Sequence, residues 1–250
     1  MLAILRGAPD AEAEAMAAFE LGMAGGQPDA AEWFGAQVYV LRHYQGRLGE
    51  LIDILCANAD AQPHLPAWRA VLARAYCDTE QMAEARTQVD ALRVGGFDYP
   101  PSWQWTGIVL ALSEVVSDLQ DRSAAAVLYE RMRPIAKQAE AFAVDVASQG
   151  SYGQFCGMLA ACLGRWDDAE GHFIDALAMN ERLGARPSIV RTRRAWASML
   201  VDRNAAGDTA RARELIAAGR AEAEQLGMAR ELVRFERLTE RLAGSAPMPG

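Results

Sequence analysis

A turn recurs along this chain at Gly46, Glu80, Gln120, Gly164 and Gly207, at separations of 34, 40, 44 and 43 residues. Each of the last four is followed five residues later by an alanine: Ala85, Ala125, Ala169 and Ala212. A small residue at a constant offset from a turn marks where two antiparallel helices come closest. Self-similarity at such a period is the mark of stacked supersecondary units, none of which can bury its apolar face alone. Residues 32–65 and 66–99 superpose at 34 residues, placing Val38 on Leu72, Leu48 on Met82, Leu51 on Ala85 and Leu55 on Val89. The clearest unit is Leu163-Gly-Arg-Trp-Asp-Asp-Ala-Glu-Gly-His-Phe-Ile-Asp-Ala-Leu177. There Gly164 makes the turn, Trp166 covers the pair, and Ala169, Phe173 and Ala176 share a helix face at i, i+4 and i+7.

Composition agrees with helices. The chain has 49 alanines against 28 valines, isoleucines and threonines together. Alanine has the best helix propensity, whereas β-branched residues favour strands. The periodicity predicts helices over 10–24, 30–44, 47–60, 66–78, 81–94, 102–118, 122–138, 149–163, 166–183, 188–203, 208–226 and 229–243, punctuated by Gly25-Gly26, Gly95-Gly96, Pro100-Pro101, Gly150, Gly184, Gly207 and Gly227. The expected fold class is all-α, a superhelix of about five helical hairpins over 32–243. Residues 1–31 form a partial repeat or cap, and 244–250 a disordered tail. The first predicted helix reads as the second half of a hairpin. Either residues 1–9 cap the array irregularly or the chain derives from something longer.

Residues 1–180 carry 12 Lys+Arg against 24 Asp+Glu, and residues 181–250 carry 13 arginines against 9 acids. An acidic body with a basic tail third argues against direct nucleic-acid binding. There is no apolar run of about 18 residues to span a membrane and no signal-peptide pattern at Met1. Cys56, Cys77, Cys156 and Cys162 form no CxxC pair, so buried free thiols in a reducing, cytoplasmic setting are expected.

No residue pattern in this chain carries catalytic chemistry. His43, His64 and His172 show no paired-His spacing. Asp168, His172 and Asp175 share a helix face, yet a solvated helix surface accounts for them, and no metal is expected. Ser151 and Ser188 are expected to cap helices, and Cys77 and Cys162 to pack. Trp103 and Trp105 beside Pro100-Pro101 suggest a stacking platform but are better explained as packing between repeats. The run Arg182, Arg186, Arg191, Arg193 and Arg194 offers an electrostatic surface, or pairs with the acidic helices beside it.

Thirty-four residues is the tetratricopeptide length, and Pro63 falls at that repeat's terminal proline. Several segments sharpen the likeness: Ala124-Ala-Ala-Val-Leu-Tyr-Glu-Arg-Met-Arg-Pro134, Leu163-Gly-Arg-Trp-Asp-Asp-Ala169, Leu183-Gly-Ala-Arg-Pro187, Gly207-Asp-Thr-Ala-Arg-Ala-Arg-Glu-Leu215 and Gln225-Leu-Gly-Met228. With these the chain resembles the C-terminal tetratricopeptide-like regions of large actinobacterial regulators, which join an ATPase module to a cyclase, activator or LuxR-type output domain. The resemblance implies a sensory or scaffolding region, with a protein or peptide partner such as a separate ATPase or regulator. The chain itself has no GxxxxGK[ST] loop, and its one lysine, Lys137, lies outside any glycine loop. Nor is there room after residue 243 for a helix-turn-helix. No cofactor is expected.

In such arrays the first helix of each hairpin faces a concave groove. That register places there Trp33, Val40, His43 and Tyr44, then Arg74 and Asp78, then Glu114 and Asp118, then Gln154, then Arg194. The expected function is a non-enzymatic interaction or regulatory scaffold using that groove. A second reading, ligand sensing, has the groove near Gln154 and Arg194 take a small molecule or short peptide.

Overall fold

The computed structural model of the protein describes residues 1–99, 103–139 and 147–244. The tail after Gly244, Pro100-Pro101 and the Trp103 side chain lie outside the described residues. The elements are α1 (Leu2–Arg6), α2 (Ala11–Ala24), α3 (Ala30–Gln45), a 3-10 turn (Leu48–Leu51) leading into α4 (Ile52–Ala61), α5 (Pro66–Asp78), α6 (Met82–Arg93), α7 (Trp103–Asp118), α8 (Arg122–Met132), α9 (Tyr152–Cys162), α10 (Trp166–Leu183), α11 (Arg186–Arg203), α12 (Asp208–Leu226) and α13 (Ala229–Gly244). Among the described residues there is no strand, and one isolated bridge joins Ala139 to Ser151.

The local chemistry explains the boundaries. Asp121 accepts a hydrogen bond from the Ala124 amide at the start of α8, and Ser151 accepts one from Gly153 at the start of α9. Pro66 opens α5, where a missing N–H costs nothing. The helix expected to run to 138 stops at Met132 and gives way to a 3-10 turn over Arg133–Ile135. Pro134 lacks the amide that an α-helical interior requires. Ser188 does not cap α11, which begins two residues earlier. Its hydroxyl instead donates to the Gln149 carbonyl at 2.7 Å.

All five recurring turns adopt left-handed φ: Gly46 at 73°, Glu80 at 64°, Gln120 at 53°, Gly164 at 73° and Gly207 at 88°. The four alanines that follow them are fully buried. Helices α5, α7, α9 and α11 pack in succession, and α6, α8, α10 and α12 lie outside them against their hairpin partners. The inner helix α9 is buried on nearly every side.

The two ends of the array meet. Helix α1 packs against α3 and α11, and a Cβ at Gly7 would stand 2.9 Å from Leu226 and 3.1 Å from Pro187. A Cβ at Gly46 would stand 2.7 Å from that of Arg230, so the end of α3 abuts the start of α13. Helix α13 packs on α11 and α12 through Phe235, Leu238 and Leu242, while its arginines reach α5 and α7. The face that an open array would present to solvent is thereby covered.

Candidate functional site

Because each inner helix contributes side chains at a similar register, the covered face gathers charges from five elements. His43 comes from α3, Arg74 and Asp78 from α5, Glu114 and Asp118 from α7, Arg191 and Arg194 from α11, and Arg230, Glu231 and Arg234 from α13. Arg74 is the hub: Nη2 pairs with Asp78, Nη1 donates to Asp118 at 2.8 Å, and Nε stands 3.6 Å from Glu114. Arg191 pairs with Glu114, and its Nη1 donates to Gln149 at 3.3 Å. Arg194 Nε donates to Glu231 at 2.7 Å. From α13, Arg230 Nε lies 3.0 Å from Asp78, and Arg234 Nη2 lies 3.2 Å from Asp118.

Burying a charge costs several kcal/mol unless it is paired, so this network holds only because nearly every ion meets an opposite one. Five guanidiniums face four carboxylates. Burial pushes the Asp78 and Glu231 carboxyls up, but the Arg74 guanidinium beside Asp78, and Arg194 with Arg234 beside Glu231, outweigh it and hold both below the usual carboxylate range. Asp118 is held at about 2 against its own burial by Arg234, Arg74 and Arg194. His43 lies 3.4 Å from Asp78 through Nδ1 and 3.2 Å from Glu114 through Nε2. Burial, helped by the Arg191 charge, nevertheless lowers its pKa to about 4, so the ring is neutral at pH 7.

The structure thus brings most of the expected groove residues together and changes what they face. His43, Arg74, Asp78, Glu114, Gln154 and Arg194 are interior rather than open to a partner; arginines of α13 reach the acids of α5 and α7, and Thr192 of α11 meets Gln154. Val40 is fully buried in the apolar core. Gln154 is fully buried too. Its Oε1 accepts from Thr192 at 2.9 Å, while its Nε2 has no hydrogen-bond partner among the described residues. Tyr44 is buried and donates to the Ser148 carbonyl at 3.3 Å, with Arg191 over its ring. Trp33 stands apart, 41% exposed on the α2–α3 hairpin.

Sequence reasoning missed the contribution of α13. The signal was available: Arg230, Arg234, Arg237 and Arg241, at spacings of 4, 3 and 4, share one helix face, and each meets an acid, namely Asp78, Asp118, Glu80 and Asp202. The basic run on α11 divides. Arg191 and Arg194 turn inward, while Arg186 and Arg193 reach Glu222 on α12. His172 meets the Tyr129 hydroxyl at 3.1 Å, and Trp105 is half-buried against the core. No group of three His, Cys, Asp or Glu side chains among the described residues is placed to hold a metal ion. Burial raises the Cys77 thiol to about 11 and that of Cys156 to about 12, so neither is a ready nucleophile.

Beside the ionic interior a cleft of about 580 Å³ opens between the ends of α7, α9 and α11. Its charged lining is Asp118, Arg122, Arg194, Asp202 and Arg241, and Met158, Cys162, Trp166 and Met199 supply apolar lining. No helix among the described residues is long and apolar enough to cross a membrane. Comparison with protein-family models, curated proteins and solved structures returns no match.

Proposed function

We propose that this chain is a tetratricopeptide-like helical-repeat module of a regulatory system, which binds a small molecule or short peptide in the cleft beside its ionic interior and performs no reaction on it. The observation that carries the reading is the cleft, about 580 Å³ in volume and walled by Asp118 and Arg194. A concave pocket with a few convergent polar groups suits a small ligand, whereas a broad open groove suits a protein. Support for the repeat assignment comes from the five left-handed turns and the buried alanine after four of them. The regulatory role rests on the resemblance to actinobacterial regulators.

A ligand held only by the folded state raises stability by RT ln(1 + [L]/Kd), about 2.7 kcal/mol at a hundredfold excess over Kd. The small-molecule fraction of a native lysate should therefore raise the melting temperature of the wild type and not that of Ser198→Trp, which fills the cleft from its half-buried wall position. An equal rise in both proteins removes the cleft reading.

One observation favours a protein partner at a different place. Helix α2 has no single apolar face and buries only Ala11 and Ala15. It leaves Met16, Leu21 and Met23 exposed beside Trp33 and the stacked Phe19–Phe34 pair. Glu14, Glu20, Asp29 and Glu32 are exposed on the same hairpin, so the partner that this surface fits is apolar with basic groups beside it. Capture of such a partner should be lost in Leu21→Glu/Trp33→Glu and kept in Ser198→Trp.

A further inference from the structure

The polarity of the cleft ligand can be read from one side chain. Arg194 is 9% exposed, and among the described residues its guanidinium makes one hydrogen bond, from Nε to Glu231. Both Nη groups, four N–H donors, have no protein partner there, and Arg194 forms part of the cleft wall. Its neighbour Arg74 differs, since all three of its nitrogens lie within 4 Å of a carboxylate. Neither Arg194 Nη atom is sealed from solvent as Arg191 Nη2 is, so this bidentate edge faces the cleft, where the oxygens of a bound carboxylate can replace water on it.

The surrounding charges point the same way. The interior holds one guanidinium more than it holds carboxylates, with His43 neutral. Both acids in the cleft wall are already paired, Asp118 with Arg74 at 2.8 Å and Arg234 at 3.2 Å, and Asp202 with Arg241 at 2.6 Å. At the mouth Arg122 donates to the Leu163 carbonyl at 2.6 Å and has no carboxylate in ion-pair range among the described residues. The apolar part of the lining, Met158, Cys162 and Met199, is largely buried and deformable.

Resting on the cleft reading, we infer that the ligand is an organic monocarboxylate with an apolar body, its carboxylate accepting a bidentate bond from the Nη edge of Arg194 and its body lying on Met158 and Met199. A free aryl or alkyl acid and the carboxyl end of a short peptide share this chemistry.

The test is calorimetry on the full chain with 4-phenylbutyrate, with 4-phenylbutylamine, and with N-acetyl-leucyl-phenylalanine as free acid and as amide. The expected result is one-to-one binding of the acids with no binding of the amine or the amide. Whichever acid binds more tightly identifies the source. Arg194→Lys keeps the charge beside Glu231 but loses the fork, and should weaken binding about tenfold or more. Ser198→Trp leaves the ionic network intact and should abolish binding, which keeps the test decisive if Arg194→Lys fails to fold. Equal binding of acid and amine, both lost in Ser198→Trp, overturns the anion inference and leaves the cleft reading standing. Acid binding unchanged in Ser198→Trp overturns the cleft reading itself. No binding of either acid up to about 10 mM, a bound of roughly −3 kcal/mol, also overturns the anion inference.

Discussion

His43 shows at the scale of one residue how the fold sets chemistry. Its folded pKa lies at about 4, below its ordinary 6.5, because burial and the charges of Arg191 on α11 and Arg74 on α5 outweigh Asp78 on α5. As pH falls below 6.5 the unfolded chain takes the proton first, so stability declines from there through about 4. The decline attributable to His43 is on the order of 3 kcal/mol, and chemical denaturation at a series of pH values should show it flattened in His43→Gln. Asp118 acts in the same direction at lower pH. Its folded pKa of about 2 lies below the ordinary 3.8, so its contribution is whole above that value and is lost as pH falls toward 2. Arg74→Ala would take the central partner from three buried acids, leaving Asp78 to Arg230, Glu114 to Arg191 and Asp118 to Arg234 around an emptied space. A cost of about 3–5 kcal/mol is expected, measured by urea unfolding at pH 7.

Two glycines on the outer helices α10 and α12 separate propensity from packing at the scale of an element. A Cβ at Gly171 on α10 meets nothing within 4 Å, so Gly171→Ala should stabilise by about 0.5–1 kcal/mol through helix propensity alone. A Cβ at Gly219 on α12 would fall 2.3 Å from the Phe235 ring, by which α13 seats on α12. Gly219→Ala gains the same propensity and loses more to overpacking, for a net loss of about 1–2 kcal/mol. Thermal denaturation of both variants checks the opposite signs. The recurring turns and the helix ends at Gly46, Gly184 and Gly227 were legible in the sequence because they depend on residues within one or two turns of each other. The stop at Met132 was equally local, encoded by Pro134, although the expected helix ran on to 138. The basic face of α13 was legible, but the surface on which the helix seats was not. Its helical pattern showed an apolar face without showing which surface that face would meet.

Closure is what distinguishes the whole molecule from an open array. With α1 against α11 and α13 across α5 and α7, a chain of this length should scatter X-rays with a radius of gyration of about 18 Å. An extended superhelix would give a distinctly larger value. The same closure explains the fate of the groove residues. Their positions on the inner face followed from register, and the structure does gather His43, Arg74, Asp78, Glu114 and Arg194. That they form an ionic interior with a cleft beside it depends on contacts such as Arg230 with Asp78, 152 residues apart in the chain.

The sequence by itself determined the helices, their turns and the alanines at their closest approaches. Each of these is settled by backbone and side-chain preferences over a few residues, repeated along the chain. Tertiary structure alone decided that the array closes, that α13 covers the inner face, and that Arg194 is left with an unused edge in a cleft. Those outcomes depend on the small rotation from each hairpin to the next. Summed over successive hairpins, that angle is set by side-chain packing and is not written in any local pattern.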